Sequence, residues 1–140
     1  MKKAVCCVLV ALSTNVYADT TAFDGNWVYL LRSQTAGQTA YADYWYESGS
    51  FERNGAKVSY WEKMVLADST DDFKMVSAYH NVANCETQQS ARIAFVSATG
   101  HGDVRLPSPS SMIESAPVYE SFPPNSPGAK VLHLICRVKG

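Results

Sequence analysis

Hydrophobic and polar residues alternate along much of the chain, and the interruptions fall at Gly, Pro, Ser and Asn. The compact apolar run at 26–31 (NWVYLL) is rich in β-formers and predicts a first strand. Polar residues around Gly37 predict a turn over 32–38. The aromatic stretch 39–46 (TAYADYWY) predicts a second strand or an extended crossing, broken by Ser48-Gly49-Ser50. Asn54-Gly55 then predicts a hairpin, because a type I′ turn needs positive φ at both central residues. In the strand that follows, 57–66, one face carries Val58, Tyr60, Met64 and Leu66. The other carries Lys57, Ser59, Trp61 and Lys63, and Glu62 breaks the apolar face.

Residues 67–72 are acidic and polar and predict a loop. Residues 73–85 mix β-branched and aromatic side chains without a helical stripe, and predict a long strand. A turn at 84–87 leads into another strand at 88–98, with Ile93 and Phe95 on one side and Arg92, Ala94 and Val96 on the other. Gly100 and Gly102 mark the next turn, and 103–106 reads as a short edge strand stopped by Pro107. These short connections predict an antiparallel meander. Pro107, Pro109, Pro117, Pro123 and Pro124 exclude a central strand and predict an extended loop lying over the body.

Ser126-Pro127 has the form of a helix start. The serine oxygen accepts an orphan N–H, and proline has none to lose. Val131, Leu132, Ile135 and Val138 then share one helical face. Leu132, Leu134, Cys136 and Val138 also alternate, so a strand remains the rival, and the cap favours the helix. The fold class that follows is α+β: a mainly antiparallel sheet with a C-terminal helix.

Before the first strand, residues 1–18 (MKKAVCCVLVALSTNVYA) have the order of an export signal: two lysines, a short apolar run and small residues at 16 and 18. The apolar run is too short to span a bilayer. Cleavage after Ala18 would leave 19–140 as a single domain and, by removing Lys2 and Lys3, would take the net charge from −1 to about −3. The short n-region looks bacterial. Cys6 and Cys7 lie too early to serve as a lipidated cysteine at the cleavage point. The expected location is therefore periplasmic, secreted or on the outer cell surface, with no transmembrane segment. The balanced charge argues against a nucleic-acid binder held by a basic field.

Processing leaves Cys85 and Cys136, and an exported chain with two cysteines has one intramolecular connectivity. The expected bridge fastens the terminal segment to the body. Metal ligation by these cysteines is the weaker reading, since neither has a Cys or His at ligand spacing. The three histidines, His80, His101 and His133, match no metal pattern. His101-Gly102-Asp103 places an imidazole and a carboxylate two residues apart, which suits an acid/base pair or simply a solvated turn. No Gly-x-Ser-x-Gly, Ser-x-x-Lys or Gly-rich phosphate loop occurs. No catalytic, metal-binding or cofactor-binding residues are assigned. Outward Lys57, Trp61 and Lys63, near the cluster Tyr44-Trp45-Tyr46, form a candidate protein-binding face, because rings bury large areas at low entropy cost.

Several segments, taken in order, resemble the surface-adhesin E family of small exported bacterial proteins. Asn26-Trp27-Val28-Tyr29 is similar to its opening strand, and Tyr41-Ala42-Asp43 to its Tyr-x-Asp step. Residues 51–58 (FERNGAKV) with Trp61 resemble its Arg-Asn-Gly hairpin and following strand. Asn84-Cys85, Pro123-Pro124-Asn125-Ser126-Pro127-Gly128 and Leu134-Ile135-Cys136 resemble its cysteine regions and Pro-rich approach to a helix. The resemblance implies an antiparallel body, a C-terminal helix held by the cysteine bridge, a homodimer in some members, and binding to host extracellular-matrix or serum proteins. The chain departs from the pattern in lacking a lipobox cysteine and in extra residues around 44–49 and 107–119. The expected function is non-enzymatic protein binding, a virulence-associated adhesin role. Inhibition of a host enzyme such as lysozyme, and a small hydrolase using His101 and Asp103, are the competing readings.

Overall fold

The computed structural model describes residues 25–107 and 114–140. The expected export signal at 1–18 lies outside the described residues. The strands are β1 (Trp27–Gln34), β2 (Ala40–Glu47), β3 (Glu52–Asn54), β4 (Lys57–Asp68), β5 (Phe73–Asn84), β6 (Gln89–His101) and β7 (Glu120–Ser121), followed by helix α1 (Pro127–Arg137). They form one sheet in the order β1-β2-β4-β5-β6-β7, with β3 also paired to β4. Every adjacent pair is antiparallel. The α+β expectation holds, and the connections between the long strands are short, as the Gly and Asn positions required.

Several boundaries differ from the sequence reading, each for a local reason. β1 runs on to Gln34 because a register shift between Tyr29 and Leu31 lets Leu30 and Leu31 both pack on the core. Strand phase therefore changes within the expected strand, and the strand continues through 32–34, which were expected to turn. At the β3–β4 hairpin, Asn54 pairs with Lys57, so Gly55 and Ala56 are the two loop residues. Gly55 has φ +60° and occupies the first loop position, where a type II′ turn needs glycine. The expected Asn-Gly type I′ turn is thus displaced by one residue. No strand forms at 103–106; β6 instead continues to His101, whose backbone pairs with Phe73. Residues 114–121 of the Pro-rich segment run along the outer edge of β6, where Ser115 N–H donates to the Ile93 carbonyl at 2.7 Å. They contribute the two-residue β7, paired at Gln89 and Ser90, in a stretch expected to be loop throughout.

β2 and β3 lie along the same edge of β4. A 3-10 turn at Ser48–Ser50 separates them. Glu47 holds this interruption, accepting from the N–H groups of Gly49 at 3.0 Å, Ser50 at 2.5 Å and Asn26 at 3.1 Å. Burial pushes the Glu47 carboxyl pKa up, but these backbone donors bring it below the usual range.

The terminal segment is a helix, as the cap predicted. Ser126 Oγ accepts from Ala129 N–H at 3.2 Å, with Pro127 in the first turn. Val131, Leu132 and Ile135 are buried against Val58, Tyr60 and Ala83. Ala83 allows close approach because it adds only a methyl group to the sheet surface. Burying the three aliphatic side chains contributes about 6 kcal/mol before conformational entropy is charged against it. The rival strand pattern loses because Leu134 and Cys136 are less buried than this helical stripe.

The far end of α1 is fastened twice. Cys136 is bonded to Cys85, with Cα atoms 5.5 Å apart. Arg53 Nη2 donates to the carbonyls of Cys136 and Val138, both at 3.0 Å, which satisfies acceptors that a helix end leaves open. Among the described residues, no helix is long and apolar enough to cross a membrane.

Candidate functional site

The sheet face that carries α1 also bounds a cavity of about 540 Å³. Its floor comes from four adjacent strands: Tyr44 of β2, Tyr60 and Glu62 of β4, Tyr79 and Asn81 of β5, and Arg92 of β6. Strand pairing puts these side chains together. Glu62 lies opposite Tyr79, and Tyr60 lies opposite Asn81, so all four share one face. Val118, Glu120 and Phe122 form the roof with the first turn of α1. Phe122 crosses Gly128 so closely that a Cβ there would lie 2.4 Å from its ring. Glycine is therefore what lets the roof reach the helix start.

Glu62 is 8% exposed and sits in the middle of this floor. Asn81 Nδ2 donates to its Oε2 at 3.1 Å. Among the described residues, no cation lies within ion-pair distance of the carboxylate. Burial pushes its pKa up to about 7, while Arg92 and the Tyr60 hydroxyl pull the other way. The same burial raises Tyr60 well above the ordinary phenol value, and Glu62 adds to that. Tyr44 is raised too, first by burial and then by Glu62.

Arg92 reaches the cavity through a register shift. The β5–β6 pairing runs from His80↔Ala94 to Asn81↔Arg92, leaving Ile93 as an extra residue. Such a bulge reverses side-chain phase along one strand. Arg92 and Phe95, expected on opposite sides, therefore both flank Tyr79. The guanidinium carbon is 3.5 Å from the Tyr79 ring centroid, and the Phe95 ring is stacked at 6.4 Å. Period-two reading could not find this, but Glu62 interrupting an apolar face was a legible signal.

The opposite face holds the candidate binding residues. Trp61 stacks on His80 at 5.0 Å, and the Lys63 ammonium is 4.6 Å from the Trp27 ring and 5.0 Å from the Trp45 ring. Tyr29 packs edge-on to Trp45 at 5.6 Å and is 52% exposed. Burial lowers the Lys63 pKa. Trp61 and Lys63 are thus joined by Trp45 of the expected aromatic cluster, and by Trp27 and Tyr29, which the sequence alone does not assign. Lys57 is exposed at the start of β4, paired with Asn54 and Asn84, away from that group. His80 is further engaged by Ser59 at 2.9 Å and Glu114 at 2.6 Å.

At the other end of β6, His101 meets Asp72 through Nδ1, with Asp71 at 3.8 Å. The expected partner Asp103 lies in the exposed turn beyond. The β4–β5 turn supplies the carboxylates because its end is level with the end of β6, so cross-strand position outranks sequence proximity. Asp72 raises the His101 pKa and is itself lowered by that contact. Asp71, Asp72 and His101 offer three ligand atoms within 4.8 Å, all exposed, and outside the cavity. No family model matches the chain, and no curated protein or solved structure matches it.

Proposed function

We propose that the chain is an exported, non-enzymatic binding protein of the adhesin E type, engaging host matrix or serum proteins through the sheet face opposite α1. The observation that carries this reading is the grouping of Trp27, Tyr29 and Trp45 around the Lys63 ammonium, next to the Trp61–His80 stack. Large rings held in place by neighbours offer binding area at little entropic cost. A half-buried ammonium beside them favours a partner segment that presents carboxylates between apolar side chains. The family reading rests on the resemblance in segments 26–29, 51–61 and 123–136, and the Cys85–Cys136 bond agrees with the bridge that the resemblance implies. Export rests on the 1–18 signal pattern.

The test is surface binding of the oxidised chain, without residues 1–18, to a panel of matrix and serum proteins. Trp61→Ala and Tyr29→Ala should each weaken binding by about tenfold or more, as truncation of an anchor residue does. Phe95→Ala, on the other face, should leave binding unchanged. The reading fails if no panel member binds better than it binds an unrelated disulfide-bonded domain, or if Trp61→Ala binds like the parent.

A further inference from the structure

The cavity beneath α1 lies on the other side of the sheet from the proposed protein-binding face and is independent of it. We propose that this cavity binds a small organic ammonium ion, with its nitrogen on the Glu62 carboxylate and its apolar body among Tyr44, Tyr79 and Phe122.

Three observations support this ligand chemistry. First, Glu62 is a buried carboxylate that accepts from Asn81 and from the Tyr60 hydroxyl, feels Arg92 only at longer range, and makes no ion pair among the described residues. A buried charge is costly unless a counter-charge or several donors compensate it. An ammonium group supplies both, since it is cationic and carries N–H donors. Second, the walls around the carboxylate are aromatic, and ring faces attract cations. The protein already uses this attraction: Arg92 lies over Tyr79 at 3.5 Å from the ring centroid. Third, Glu62 and Glu120 outnumber Arg92 among the charged lining residues, so the lining carries a net negative charge that disfavours anions. The volume, about 540 Å³, is in the usual range for small-molecule sites. Burial of Glu62, which holds its pKa near 7, agrees with a carboxylate that gains from an arriving cation.

The experiment compares three probes that share one apolar body: phenethylammonium, 2-phenylethanol and 3-phenylpropionate. Each is titrated at about pH 8 into the oxidised chain, where Glu62 is ionised, and amide shifts are followed by heteronuclear NMR. Phenethylammonium should shift the amides of Tyr60, Asn81 and Val131 in a saturable way. It should bind at least about tenfold more tightly than the alcohol, the usual worth of a charge-assisted hydrogen bond. The carboxylate probe should not bind. Glu62→Gln should bring the ammonium to about the affinity of the alcohol. Equal affinity for ammonium and alcohol on the parent chain overturns the proposal, as does the absence of saturable shifts. Retained ammonium preference in Glu62→Gln overturns it too. The comparison on the parent chain decides the matter even if that variant folds poorly.

Discussion

Glu62 makes a quantitative demand on the stability of the protein. Replacing it with Gln keeps the shape and the acceptor for Asn81 Nδ2 and removes the charge. In the folded chain the carboxyl pKa is pushed up to about 7, from 4.5 when free. A raised carboxyl pKa means that the folded state holds the proton more tightly than the unfolded state does. The stabilisation is therefore complete below about pH 4.5 and is lost as pH rises through about 7. At about 1.36 kcal/mol for each pH unit, the loss comes to about 3 kcal/mol. The groups facing Glu62 are Tyr60 on its own strand, Tyr44 and Tyr46 from β2, Tyr79 and Asn81 from β5, Arg92 from β6 and Glu120 at the rim. Of these groups, Glu62 is the one whose raised pKa falls in that window. Urea unfolding of the parent and Glu62→Gln, measured from about pH 5 to pH 8, isolates the contribution because His101 and the other carboxylates cancel in the difference. The two proteins should be close in stability at the acid end, and the variant more stable by about 3 kcal/mol, or about 10 °C in Tm, at the alkaline end. A difference that stays constant with pH, or a variant less stable at pH 8, would refute the claim that burial of this carboxylate outweighs the pull of Arg92 and its hydrogen-bond donors.

Other consequences are equally direct. Reducing the Cys85–Cys136 bond should cost about 4 kcal/mol by loop entropy, and hydrogen exchange should show α1 opening first. An unchanged melting curve in reductant would contradict this. Arg53→Ala should lose about 1–3 kcal/mol by leaving the carbonyls of Cys136 and Val138 without their donor, with the loss of amide protection confined to the end of α1 and β3. In an NMR titration His101 should ionise above the ordinary histidine value. Asp72→Asn should lower it, whereas Asp103→Asn should not.

Features governed by local chemistry were legible in the sequence. The cap at Ser126-Pro127, the glycine at 55 and the alternation in 57–66 each act over a few residues, and each placed its element correctly to within a residue or two. The bridge was legible because the expected loss of residues 1–18, with Cys6 and Cys7, leaves one pairing. What escaped was set by neighbours in space. The bulge at Ile93 depends on how β6 meets β5, so the phase of Arg92 could not be read from β6 alone. Trp27, Tyr29 and Trp45 come to Lys63 only because β1 and β2 stack in register beside β4. His101 took its carboxylate partner from across a turn. Glu62 was visible as an exception, but its burial could be known only once the strap over residues 118–123 and the start of α1 had closed above it.

The sulfur bond also determines how the molecule carries mechanical load. Tension applied between the start of β1 and the residues after α1 passes from Cys85 directly to Cys136. The fifty residues between them, which include all of β6, the cavity roof and nearly all of the helix, lie off that path. A protein pulled by shear while attached at both ends would load the early strands, which carry most of the cavity floor, and leave β6, the roof and the helix unloaded.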